Sequence, residues 1–94
     1  LRAYGPVVDD RLADLAIEVG LGNATDSKAA LAAAFIDRIE AMRSEMEMPL
    51  KPKDMAPHQV EEIVSDAIKE TGELYPVPRY MAREEVAALV KALL

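Results

Sequence analysis

Leu12, Leu15, Ala16 and Val19 stand at the i, i+3, i+4 and i+7 spacing that lines one side of an α-helix. The same period returns in three later stretches. Between them sit Gly20-Leu21-Gly22, Pro49 with Pro52, and Pro76 with Pro78, all residues that stop helices. No stretch alternates apolar and polar residues as a half-buried strand does. A chain punctuated in this way must bury its apolar stripes helix on helix. The expected fold is all-α, an antiparallel helical bundle of about four helices, forming a single domain over residues 1–94.

The spacing predicts a first helix over 9–19, with Asp9 or Asp10 accepting from the free N–H groups of the first turn. Gly20 follows its last apolar position, where a left-handed cap costs a glycine least. A second helix is expected over 26–48. Its stripe is Leu31, Phe35, Ile39, Met42 and Met46, widened by Ile36, and Arg43 is within helical reach of Glu40 and Glu47. Ala29, Ala30, Ala32, Ala33 and Ala34 keep its first half slim, so neighbours can approach closely. The third helix starts near Pro57, faces inward through Val60, Ile63, Val64, Ala67 and Ile68, and closes at Gly72. Residues 73–81 hold Pro76 and Pro78 and run extended. The last helix takes 82–94, with Val86, Leu89, Val90 and Leu93 inward.

Composition narrows the function classes. The 94 residues carry 17 acidic against 11 basic side chains, a net charge of −6 that repels phosphate backbones and argues against nucleic-acid binding. No apolar run approaches the roughly 20 residues of a membrane span. The absence of Cys removes disulfides, thiolate ligands and thiol nucleophiles together. His58 is the one imidazole, so this chain alone cannot assemble a poly-histidine metal site. The opening Leu1-Arg2-Ala3-Tyr4-Gly5-Pro6 has neither an initiator Met nor a secretory pattern, as expected of a fragment in the cytoplasm.

Four features could carry chemistry. His58 shares a helical face with Glu61 and Glu62, a face a metal could use, although such a trio is ordinarily solvated surface. Asp26-Ser27 opens the second helix as the modified serine does in acyl and peptidyl carrier proteins. Lys28 stands where carriers show Leu, the helix is too long for the carrier pattern, and an ordinary N-terminal cap accounts for the pair. Met42, Met46, Met48 and Met55 could form a soft binding surface; otherwise Met42 and Met46 are core, and Met48 and Met55, flanking the proline connector, cover an inter-domain contact. The segment from Leu74 to Tyr80 holds two of the three tyrosines and Arg79, as a strap across a helix pair or as a binding loop. No nucleophile–base pair, phosphate loop or acid/base carboxylate pair is present, so no catalytic, cofactor-binding or metal-binding residue is assigned in this chain.

Taken in order, the elements resemble a known family. A helix ends in Val19-Gly20-Leu21-Gly22, a long Ala-rich helix follows, and a proline-bounded stretch carries Met48-Pro49-Leu50. A helix with Val60-Glu61-Glu62-Ile63-Val64-Ser65-Asp66-Ala67 comes next, then Pro76-Val77-Pro78-Arg79 and a closing Arg83-Glu84-Glu85-Val86 helix. This succession is similar to the C-terminal portion of the iron-containing alcohol dehydrogenase family, and it covers nearly the whole chain. The resemblance implies a parent oxidoreductase of two domains. In it an N-terminal domain binds NAD(P), and a helical domain holds Fe2+ or Zn2+ through one Asp and three His for alcohol/aldehyde interconversion. Those ligands lie upstream of the matched portion, and the dinucleotide-binding turn is absent. The family's Asn-Pro step before the last helix stands here as Tyr75-Pro76. The fragment is therefore expected to be inactive alone, partnered by the N-terminal domain of its parent, and prone to self-association through an exposed apolar face. The competing reading is a stand-alone acidic helical interaction module.

Overall fold

The computed structural model describes all 94 residues. It is all-helical: α1 (Asp9–Glu18), α2 (Lys28–Glu45), α3 (Val60–Glu73) and α4 (Arg83–Lys91), with 3-10 turns at Arg2–Val8 and Pro57–Gln59 and no strand. The chain divides into two compact units, Leu1–Met48 and Pro49–Leu94. The packing thus groups the helices two by two, α1 with α2 and α3 with α4. That division is not contained in the one-domain expectation for 1–94.

In the first unit, the buried side chains are Val8, Leu12, Ala13 and Ala16 against Leu31 and Ala32, with Phe35 and Ile36 half-buried beside them. Alanines at the contact bring the helices close. Ala16 is fully buried and Ala13 nearly so, while Leu15 and Val19, expected inward from spacing alone, are 46% and 61% exposed. The reason is steric: a close approach favours the small side chains, and the bulky ones rotate to the flanks. The same correction applies to α2. Its stripe is buried at Leu31, but Ile39, Met42 and Met46 are exposed because α1 has only 10 residues to α2's 18. Val8, not Asp9 or Asp10, occupies the cap position of α1. Both aspartates lie within its first turn, where the helix dipole still favours them.

The ends of α1 and α2 are closed alike. Gly20 takes φ 76°, Leu21 N–H donates to the Ala16 carbonyl at 2.8 Å, and Gly20 N–H donates to Ile17 at 3.1 Å. These two bonds satisfy carbonyls the helix leaves over. At the end of α2, Met48 N–H donates to Arg43 and Glu47 N–H to Ser44, both at 3.0 Å, with Glu47 at φ 55°. The helix therefore stops at Glu45, ahead of the Pro49 that was expected to end it near Met48. An N-terminal turn at Arg2–Val8, kinked at Gly5, has no clear period in the sequence. It lies on α2 through Tyr4 and Val8, and Arg2 bridges Asp37 (2.9 Å) and Glu40 (3.1 Å). Arg38 pairs with Glu45 at 3.1 Å, and these contacts stand where Arg43 was expected to link Glu40 and Glu47.

In the second unit, Val60 and Val64 on α3 pack against Val90 on α4, with Met55, Ile68, Val86 and Ala87 around them. Val64 is 1% exposed and anchors this core; burying such a side chain contributes about 1.5–3 kcal/mol. Ile63, Leu89 and Leu93, expected inward, lie at the exposed margin. Pro57 opens a single 3-10 turn whose Gln59 side chain accepts from Ala56 N–H at 2.8 Å, and α3 proper begins at Val60. Gly72 lies inside α3, which runs one residue further to Glu73.

Candidate functional site

The feature most clearly built by side chains is the segment between α3 and α4. Residues 74–82 carry no helix; the prolines at 76 and 78 fix φ and bias Tyr75 and Val77 toward extended backbone. Exposure alternates along it. Val77, Arg79 and Met81 are half-buried, while Pro76, Pro78, Tyr80 and Ala82 face outward. Its far end is tied to α4. Arg79 Nη2 donates to Glu85 Oε1 at 2.7 Å and Nη1 donates to Oε2 at 3.1 Å, a two-pronged contact. Glu85 Oε2 also accepts from Ala82 N–H at 2.9 Å, closing the first turn of α4. These donors hold the Glu85 carboxyl down at about 2, the Arg79 hydrogen bond first and the Ala82 N–H second. Arg83 extends the tie, reaching Glu61 at 2.8 Å and Ser65 at 3.1 Å on α3.

Leu74, Tyr75 and Tyr80 stay outside this latch at 72%, 49% and 74% exposure. Arg79 is the residue that fastens the loop down.

The other candidates separate. Ser27 Oγ accepts from Ala30 N–H at 3.2 Å and caps α2, and Asp26 Oδ2 accepts from Asn23 N–H at 2.9 Å. Lys28 next to them pairs with Asp10 at 2.7 Å, and this carboxylate raises the lysine pKa by hydrogen bond and charge. His58 is exposed, and Glu61, its helical neighbour, is engaged by Arg83. No group of three or more His, Asp or Glu converges on a point where an ion could sit. Met42, Met46 and Met48 are exposed, and Met55 is half-buried in the second core. Of the two alternatives the sequence leaves for Met42 and Met46, core or surface, the fold gives the exposed one, on the surface that α2 presents beyond α1. The shortness of the first helix was the signal for it.

No polar or charged side chain is buried anywhere in the chain. The shifted groups, Arg2, Lys28 and Glu85, are all surface ion-pair members. An open depression of about 360 Å3 lies along α3 and α4, lined by Glu61, Arg83, Glu84 and Lys91 with two alanines. Charges of both signs line it without a directed constellation. No helix is long and apolar enough to cross a membrane. Comparison with protein-family models, curated proteins and solved structures gives no match to this chain.

Proposed function

We propose that this chain is the C-terminal helical segment of a metal-dependent, NAD(P)-linked alcohol dehydrogenase of the iron-containing type. One observation carries the reading: the order and boundaries of the elements. A helix closed at Gly20, a long alanine-rich helix, a proline-bounded connector and a third helix precede the Pro-Val-Pro-Arg strap and a short last helix. Within that order the Arg79–Glu85 latch gives the Pro-x-Pro-Arg segment a structural task at the start of the last helix.

The residues present do not fit the iron or the nicotinamide cofactor. His58 stands apart from any second imidazole, Glu61 is committed to Arg83, and no glycine-rich turn opens a helix behind a strand. No chemical step is derived through either group. In this proposal the nicotinamide belongs to the preceding N-terminal domain and the metal ligands to the part of the helical domain upstream of this segment, the segment completes the fold around them, and the protein works in the cytoplasm.

Reading the coding sequence upstream of Leu1 tests the proposal. A continuous frame encoding one Asp and three His ligands, preceded by a glycine-rich strand–turn–helix, is expected. A start codon immediately before Leu1 overturns it.

A second reading, an interaction module, is favoured by one specific observation: the uncovered apolar face of α2 at Ile39, Met42 and Met46. Sedimentation distinguishes the two: a module is expected as a monomer or a clean dimer, whereas a segment cut from its parent self-associates without fixed stoichiometry.

A further inference from the structure

The uncovered part of α2 is a defined surface. Ile39, Met42 and Met46 are 38%, 37% and 63% exposed, and Val19 beside them is 61% exposed. Val19, Leu21, Phe35, Arg38, Ile39 and Met42 border a groove of about 230 Å3 on this side of the unit. Phe35, Ile39, Met42 and Met46 follow the four-three-four spacing of a helix-pairing seam. Arg38 and Glu45 lie seven residues apart on one flank of that seam and pair with each other at 3.1 Å.

We propose that this face binds a second copy of the chain through an antiparallel α2–α2 contact. The seam alone sets the register: Ile39 packs against Met42 of the second copy, and the part of Phe35 left open by the α1–α2 core packs against Met46 of the second copy. In an antiparallel pair like flanks meet. That register places Arg38 opposite Glu45 of the second copy and Glu45 opposite its Arg38, so both flanking contacts are attractive. On the other flank Ile36 meets Arg43 of the second copy, with no like charges opposed. A parallel pairing in register would instead set Arg38 against Arg43 of the second copy, a repulsion at the same position. Charge complementarity therefore selects both the occupant and its direction. The inference uses only the first unit and is independent of the dehydrogenase reading.

Sedimentation velocity on the full chain over a concentration series is expected to show a monomer–dimer equilibrium. Met42→Glu abolishes the dimer. Arg38→Glu weakens it about tenfold by opposing two carboxylates. The double variant Arg38→Glu, Glu45→Arg restores it, which a generally damaged fold would not do. The chain has no cysteine of its own, so direction can be read by cross-linking. Mixed Ile39→Cys and Met42→Cys chains are expected to form the mixed disulfide in preference to either homotypic one. A chain that stays monomeric into the high-micromolar range, a dimer indifferent to Arg38→Glu alone, or predominance of homotypic disulfides would each overturn the proposal.

Discussion

Arg79 holds Glu85 by both carboxylate oxygens, at 2.7 and 3.1 Å, while the same carboxylate accepts the Ala82 N–H at 2.9 Å. One side chain thus ends the strap and begins the helix. Its folded pKa of about 2 lies below the ordinary 4.5, which fixes the sign of the pH dependence. The contact stabilises the fold above the unfolded value, and its contribution drains as pH falls through the window from about 4.5 to about 2. Both partners are substantially solvent-exposed, so solvent screens the effect and its size is small. Carboxyl NMR titration is expected to show Glu85 protonating well below the ordinary glutamate range. Glu85→Gln is expected to flatten this part of the acid limb, and an unchanged limb would dismiss the latch as a stabilising device.

Gly22 is fixed by a close approach rather than by its backbone angle. A Cβ there would stand 2.5 Å from Leu31 Cδ2 and 3.0 Å from Asp26 Oδ2. Leu31 is 3% exposed and has nowhere to retreat. Gly22→Ala is expected to lower stability by about 1–3 kcal/mol, read by chemical denaturation, as overpacking of a filled site does.

Glu47 is the one non-glycine residue with positive φ, at 55°, and it sits where a helix C-terminus favours glycine. Glu47→Gly removes the steric cost of that left-handed conformation and is expected to stabilise the chain by roughly 1 kcal/mol. Thermal unfolding checks it, and a lower melting temperature would contradict the cap geometry.

Ser27 is occupied as a cap. Ser27→Ala is expected to cost about 1 kcal/mol in denaturant unfolding. Incubation with coenzyme A and a phosphopantetheinyl transferase is expected to leave the chain's mass unchanged. A phosphopantetheine adduct on Ser27 would revive the carrier-protein reading.

The periodicity of the sequence locates every α-helix because a helix needs only local information: apolar spacing, breakers and caps. Gly20 as a left-handed stop and Pro57 as a start were legible for that reason. The same local signals misplaced Asp9 and Asp10 as caps and Gly72 as a stop, where neighbouring turns supplied other solutions.

What periodicity leaves open is which part of each apolar stripe finds a partner. Leu15 and Leu12 are equivalent in spacing, yet Leu12 is buried and Leu15 is not, because alanines at 13 and 16 set the line of contact. Ile39, Met42 and Met46 continue the stripe that Leu31 begins, and only the length of α1 leaves them bare. Nothing in the spacing assigns Arg79 a partner; the fold brings it to Glu85, six residues on. The sequence by itself determined the helices and their stops, since those depend on neighbours a few residues away. Only the tertiary structure decided which faces are covered, which charges are spent on holding a strap, and which surface remains for a partner, since those depend on groups meeting across space.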